Sequence, residues 1–287
     1  MKGVKLRKIG NKVDSGTISL GDVDEEGLKA FMDAMEPGKT IILDEYHIYD
    51  EIHKKSPLSV YYINFRSDYP DNYPAKFDEE FARFLVKMYS KPGEWVLDPM
   101  GGSGTIPLMA LQLGREALYQ DVNELALKLY REKSGRKFAG YLGDSSKYIE
   151  CNDNTIDLIV TSPPFGLTID QKHDKYSDNP LDLANSKDYE IWRTKMKGVL
   201  KECFRVLKPG HLCFIETRPR SKKGHSYPLN AWVTVDGMDV GFNYYCDFVE
   251  IVDTYRMWTF GEEWKRKPMP AHSNVVVLEK PEQEKLI

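Results

Sequence analysis

The stretch VLDPMGGSGT, Val96 to Thr105, decides the fold. A short apolar run ends in the acid Asp98, and Gly101, Gly102 and Gly104 follow. Glycine lets a backbone turn tightly and approach a ligand without a Cβ clash. The residues after it read as a helix to about Leu113, so N–H groups at its start face whatever lies on the loop. Strand, glycine turn and helix in that order make the opening of a βαβ unit. There is no G-K-[ST], so the loop is not a P-loop, and its glycine register departs from G-x-G-x-x-G.

Working outward, the same alternation continues on both sides. Asp78 caps a helix through Tyr89, with Phe81, Phe84, Leu85 and Met88 on one face. Pro92-Gly93 turns the chain into the strand Trp95–Asp98. Glu116–Asp121 reads as a strand, Asn123 to about Lys137 as a helix, and Tyr141–Gly143 as a short strand before Asp144. Ile156–Thr161 is wholly apolar apart from Asp157 and its last residue, as in a strand buried on both faces. Asp188 to Leu207 reads as a helix ended by Pro209-Gly210, followed by strands at His211–Glu216, Cys246–Val252 and Asn274–Leu278. These are the units of a doubly wound, mostly parallel α/β sheet with helices on both faces. Before them, Asp24–Met35 has helical spacing, Thr40–Asp44 reads as a strand, and Val60–Ile63 as another. The division expected is an N-terminal extension, residues 1–70, and a catalytic domain, residues 71–287.

Composition narrows the class. The 287 residues are 41% hydrophobic and 29% charged, which is globular rather than disordered. No apolar run approaches the length needed to cross a bilayer, and the opening MKGVKLRKIGNK has no apolar core of a secretory signal. Four cysteines without C-x-x-C spacing read as reduced thiols of a cytoplasmic protein, and no metal site is expected. The net charge of −4 means that any binding of nucleic acid relies on local patches.

In a sheet of this kind the ligand sits beyond the carboxyl ends of the strands. Asp121 ends the next strand, 23 residues after Asp98, where a carboxylate can meet ribose hydroxyls. Asp144, with Ser145, ends the third and can accept from an amino group. Thr161-Ser-Pro-Pro-Phe165 leaves the fourth. Two prolines cannot donate hydrogen bonds, and they fix the exit so that a carbonyl points outward. Phe165 then offers a face to a planar ring.

DPMGGSGT followed by TSPPF resembles the exocyclic-amino DNA methyltransferases, which modify cytosine N4 or adenine N6 with S-adenosylmethionine. Asn72–Val86 (NYPAKFDEEFARFLV) is similar to the segment that precedes the glycine loop in that family. The resemblance runs from about Tyr73 to Gly210 and resumes at HSNVVVLEK. It implies a Rossmann-like class I methyltransferase fold with a seven-stranded sheet. It also implies that the cofactor is held by Tyr73, Pro74, Lys76 and Phe77, by Asp98, Pro99, Met100, Gly101, Gly102, Ser103, Gly104 and Thr105, and by Asp121, Val122, Asp144 and Ser145. Catalysis would fall to Ser162, Pro163, Pro164 and Phe165, with the phenyl ring stacking on a base flipped out of duplex DNA. Ser before Pro-Pro resembles the cytosine-N4 branch, while Asp is commoner in the adenine-N6 branch.

The basic runs Arg218, Arg220, Lys222, Lys223 and Lys265-Arg266 are candidates for phosphate contact. The stretches 166–186 and 217–245 read as target-recognition loops. A site-specific double-stranded DNA enzyme, alone or with a cognate restriction endonuclease, is the expectation. An adenine-N6 enzyme, an RNA guanine-N2 methyltransferase and a non-catalytic binding subunit are the alternatives.

Overall fold

The computed structural model describes Val4–Lys5, Thr17–Ile18, Val60–Ile63 and residues 77–135, 139–165, 167, 177–218, 220–222, 225–252 and 272–282. The chain divides into two compact units, residues 1–58 and 59–287. In the first, Val4–Lys5 pairs antiparallel with Thr17–Ile18. The expected helix at 24–35 and strand at 40–44 lie outside the described residues.

The second unit is built on one sheet. Its strands are β1 (Val60–Ile63), β2 (Trp95–Asp98), β3 (Glu116–Asp121), β4 (Ala139–Leu142), β5 (Ile156–Thr161), β6 (Leu207–Thr217), β9 (Asn243–Val252) and β10 (His272–Glu279). A hairpin, β7 (Arg220–Lys222) and β8 (His225–Tyr227), stands apart from the sheet ladder. The spatial order is β1-β9-β10-β6-β5-β2-β3-β4. Leaving β1 aside, and counting the rest in chain order, this is 3-2-1-4-5-7-6, with only β10 antiparallel to its neighbours. β1 adds a parallel eighth strand outside β9.

Helices α1 (Glu79–Tyr89), α2 (Thr105–Gln112), α3 (Glu124–Ser134), α4 (Tyr189–Val206) and α5 (Leu229–Val240) cover the faces. Their starts follow from sequence. Asp78 accepts from the Phe81 N–H at 2.8 Å, Asn123 from the Leu125 N–H at 3.0 Å, and Asp188 from the Ile191 N–H at 2.8 Å. Each side-chain cap satisfies a helix-end donor that has no partner within the helix. On one face Leu97, Ile159, Ile215, Val276 and Leu278 share a buried cluster with Trp192, Met196 and Leu200 of α4 and with Leu229 and Val233 of α5. On the other face Phe214 lies 4.7 Å from Tyr89, and Phe248 6.4 Å from Phe84, ring centre to ring centre.

Three local expectations are corrected. α4 stops at Val206, and β6 begins at Leu207, so Pro209-Gly210 lies inside the strand. The β5–β6 register jumps from Ile156–Leu207 to Leu158–Leu212, and Gly210, at φ +75°, absorbs the bulge. The third parallel strand is Ala139–Leu142, two residues earlier at its start than expected. The stretch 217–245 is not a loop throughout: it holds the hairpin, α5 and the start of β9. α5 (LNAWVTVDGMDV) escapes a periodicity reading because its apolar residues surround the helix, with Val235 and Met238 exposed and Leu229 and Val233 buried.

Candidate active site

The glycine loop is fixed from below by two tyrosines. Tyr119 of β3 and Tyr130 of α3 stack at 4.3 Å with planes 7° apart. A Cβ on Gly101 would enter the Tyr119 ring, and one on Gly104 would stand 2.6 Å from Tyr130. Gly104 also sits at φ +86°, where L side chains are strained. Tyr119 Oη donates to the Gly102 carbonyl at 2.8 Å, and the Gly101 N–H donates to the Gln120 carbonyl at 3.0 Å. These glycines are therefore required by the protein's own packing, not by a ligand alone.

Around the loop stand the acids. Asp98 is buried, and its Oδ1 accepts from Thr161 Oγ1 at 2.8 Å and from the Met100 N–H at 3.1 Å. Burial pushes its carboxyl up to about 7, the two hydrogen bonds oppose the rise, and the nearby charge of Asp121 adds to it. Asp121 accepts from the Gly102 N–H and the Asn123 N–H, both at 2.8 Å. Its carboxyl is pushed up to about 6, chiefly by burial, and the charge of Asp182 adds to the rise.

Asp144 accepts from the Ser146 N–H at 2.9 Å and starts the turn that follows β4. Ser145 is buried; its hydroxyl donates to the Pro99 carbonyl at 2.6 Å and accepts from Gln120 Nε2 at 2.9 Å. It fastens the glycine loop to the exit of β4. The carbonyl of Val122 accepts from Asn179 Nδ2 at 2.8 Å, so the end of the 166–186 stretch reaches the exit of β3. Thr105 opens α2, Ser103 is buried, and Met100 packs against the main core. Phe77 is buried, stacked on Phe81 at 5.6 Å. Tyr73, Pro74 and Lys76 lie outside the described residues.

The Ser-Pro-Pro-Phe segment leaves β5 beside this loop, tied to it through Thr161 and Asp98. Trp192 Nε1 donates to the Pro164 carbonyl at 2.7 Å, and Tyr189 Oη to the Phe165 carbonyl at 3.4 Å. Both donors belong to the first turns of α4. Among the described residues no protein donor takes the Pro163 carbonyl, and the half-buried Ser162 hydroxyl makes no protein hydrogen bond. The segment is thus held by its later carbonyls, while among the described residues its earlier polar atoms have no protein partner.

Of the basic candidates, Arg218 reaches the motif directly. Its guanidinium carbon stands 5.9 Å from the Phe165 ring centre. Arg220 and Lys222 lie on β7, which is folded over against β8; Tyr227 of β8 stacks on Tyr189 at 4.3 Å. Lys223, Lys265 and Arg266 lie outside the described residues. Trp192, Tyr189, Asn179, Gln120 and Thr161 are site-building residues that sequence reasoning missed. Each acts across 19 or more positions of chain, and no local spacing signals such a contact.

The chain was compared with known proteins by sequence and by fold. The family model described as DNA methylase, for the N6/N4 methyltransferases, matches residues 26–141 and 156–282. The chain belongs to the N6/N4 DNA methylase family. The type II methyltransferase M.SmaI of Serratia marcescens is 37% identical over 84 residues, covering 29% of this chain and 28% of that protein. A tRNA (guanine(10)-N2)-dimethyltransferase of Methanothermobacter thermautotrophicus is 25% identical over 197 residues, covering 64% of this chain and 58% of that one. The chain thus spans less than two thirds of either relative. Among solved structures, a TehB-like SAM-dependent methyltransferase from Corynebacterium glutamicum is 18% identical, with a TM-score of 0.45, covering 73% of this chain and 89% of that one.

S-adenosylmethionine is the cofactor of the N6/N4 DNA methylase family. The residues present fit it: Gly101 and Gly102, without side chains, lie beside the carboxyl groups of Asp98 and Asp121, and two such groups, ionised, suit a cationic ligand with ribose hydroxyls. No described helix is long and apolar enough to cross a membrane.

Proposed function

We propose that this chain is a site-specific DNA methyltransferase acting on the exocyclic amino group of a flipped base, cytosine N4 in the first place. The observation that carries the reading is the pair of free polar atoms, Ser162 Oγ and the Pro163 carbonyl, on a segment clamped by Trp192 and Tyr189. An amine conjugated to a ring is a poor nucleophile, because its lone pair is delocalised. Accepting its two hydrogens on Ser162 and Pro163 favours a pyramidal nitrogen with a localised lone pair. That gain is realised mainly in the transition state. When bound, S-adenosylmethionine supplies a methyl group already activated by a sulfonium. What remains for the protein is to hold the amine in line, which is a proximity effect.

In this reading Asp121 accepts from the ribose hydroxyls and Asp144 from the adenine amino group, while Tyr73, Pro74, Lys76 and Phe77 line the methionine end. Phe165 offers its face to the flipped base. Arg220, Lys222, Lys223, Lys265 and Arg266 serve phosphates. An N-terminal extension precedes the catalytic domain in the cytoplasm, with the boundary expected at residue 70 drawn before Val60–Ile63 because that strand belongs to the main sheet; a cognate restriction endonuclease is a partner in keeping with the type II name of M.SmaI. Ser162 at the head of the motif, where Asp is commoner in adenine enzymes, supports cytosine.

Mass spectrometry of nucleosides from DNA treated with the protein and labelled cofactor tests the reading. N4-methylcytosine is expected. The similarity to a tRNA guanine-N2 enzyme favours a second reading, RNA amino-methylation. Label appearing in tRNA and not in DNA would decide for it.

A further inference from the structure

Arg218 is anchored in a way that a phosphate-binding surface arginine does not need. It follows Thr217 at the carboxyl end of β6. Its Nε and Nη2 donate to Ser273 Oγ at 3.2 and 2.8 Å, and Ser273 is fully buried in β10. One hydroxyl therefore holds one side of the guanidinium fork. The other side, Nη1 and the outer hydrogen of Nη2, makes no hydrogen bond to a protein acceptor among the described residues. The guanidinium carbon lies over the Phe165 ring, 5.9 Å from its centre, so its free edge borders the space above that face, which a planar ring lying against Phe165 would enter.

We propose that Arg218 is the specificity-determining residue for the target base, donating from its free edge to N3 and O2 of a cytosine whose amino group lies on Ser162. The assignment rests on the reading that the chain methylates a base amino group in DNA. Ser162 and Pro163 touch only the exocyclic amine, so whatever Ser162 contributes to the choice of cytosine, they do not read the rest of the base's edge. The remaining edge separates the bases. Cytosine presents amino donor, N3 acceptor and O2 acceptor in a row. Adenine presents amino donor, N1 acceptor and a C–H. Two parallel N–H groups of a guanidinium satisfy both cytosine acceptors and only one of adenine's positions. Holding one side on Ser273 keeps the fork from turning away, so little side-chain freedom is lost on binding.

The test is a functional-group cycle. The site is first located by sequencing methylated DNA. A short duplex is then made with the target cytosine and with 3-deazacytosine, which keeps the amino group and O2 but replaces N3 by C–H. Single-turnover transfer is measured for the parent, Arg218→Met and Arg218→Lys, with cofactor affinity measured alongside by calorimetry. The parent should be about 10- to 100-fold slower on the analogue. Arg218→Met should lose a similar factor on natural DNA and be nearly indifferent to the analogue, with Arg218→Lys between them and cofactor affinity unchanged in all three. Parental transfer by Arg218→Met, or losses that multiply, would overturn the assignment.

A parent that makes N6-methyladenine also overturns it while leaving amino-methylation intact. A parent that transfers no methyl to DNA removes the functional reading itself, and this assignment with it. Should Arg218→Met lose cofactor binding, Ser273→Ala keeps the guanidinium and unties it. Selective loss on natural DNA is then expected, and equal loss on both duplexes overturns the proposal.

Discussion

The indole N–H of Trp192 donates to the carbonyl of Pro164 at 2.7 Å, joining a buried helix residue to the Ser-Pro-Pro-Phe segment 28 positions earlier. Trp192 is completely buried, while Pro164 is half-buried, so the bond sits at the margin of the core. Replacing it by phenylalanine keeps most of the apolar volume and removes the donor. Trp192→Phe should cost about 1 kcal/mol of stability, because the half-buried Pro164 carbonyl loses its protein donor. It should also slow methyl transfer while cofactor affinity holds. Chemical denaturation and single-turnover kinetics check both, and transfer at the parental rate would free the segment from α4.

Ser162→Ala gives the sharpest test of the chemistry. The variant should keep cofactor affinity, since the glycine loop is supported by Tyr119 and Tyr130 rather than by Ser162. Transfer should fall on the order of 100-fold, by analogy with removal of one oxyanion-hole donor. The loss belongs in the chemical step more than in DNA affinity. An unchanged rate places the amine elsewhere.

Asp98 and Asp121, raised to about 7 and about 6, give a signed pH dependence. A cationic cofactor favours both carboxylates ionised. Affinity should therefore be level above about pH 7 and fall as pH drops through these values. Asp121→Asn should weaken binding by about 1–3 kcal/mol at neutral pH. For stability the sign is opposite. A carboxyl whose folded value is raised contributes stability below its unfolded value, about 3.9, that is lost as pH rises through the folded one. The melting temperature of cofactor-free Asp98→Asn should thus gain on the parent as pH rises from about 5 to about 8. A pH-independent difference would mean that Asp98 titrates normally.

Gly104→Ala should damage the loop on two counts. Its φ of +86° disfavours any side chain, and the new methyl meets Tyr130 at 2.6 Å. Backbone strain alone is worth about 1–2 kcal/mol. Cofactor affinity and thermal stability should fall together. Pairing the change with Tyr130→Ala should relieve the clash but not the strain, and full recovery in the double variant would show that φ at this position matters little.

The sheet was legible because its strands are locally marked. β2 and β5 are short, largely apolar runs ending at Asp98 and Thr161, β3 carries Ala117-Leu118-Tyr119 before Asp121, and the caps Asp78, Asn123 and Asp188 mark three helix starts. What sequence could not show is which distant side chains hold those ends. Gln120 is an unremarkable polar residue inside a strand, yet its amide bonds Ser145, Tyr148 and Glu150 and secures the chain after β4. Arg218 reads as one of several cations in a basic run, and only folding separates it from Lys222 by bringing Ser273 and Phe165 alongside. α5 was hidden for a different reason: a helix with apolar residues all round carries no period.

Both ends of the sheet close on a four-residue strand. β1, paired with Val249–Val252 at the end of β9, is the edge strand on one side. The opposite end closes on β4, whose four residues offer few main-chain groups to a neighbour, although Tyr141 and Leu142 are exposed. Colloidal behaviour at high concentration is therefore governed at that end by brevity rather than by charge. Lengthening β4 would create a docking edge that the present chain keeps small.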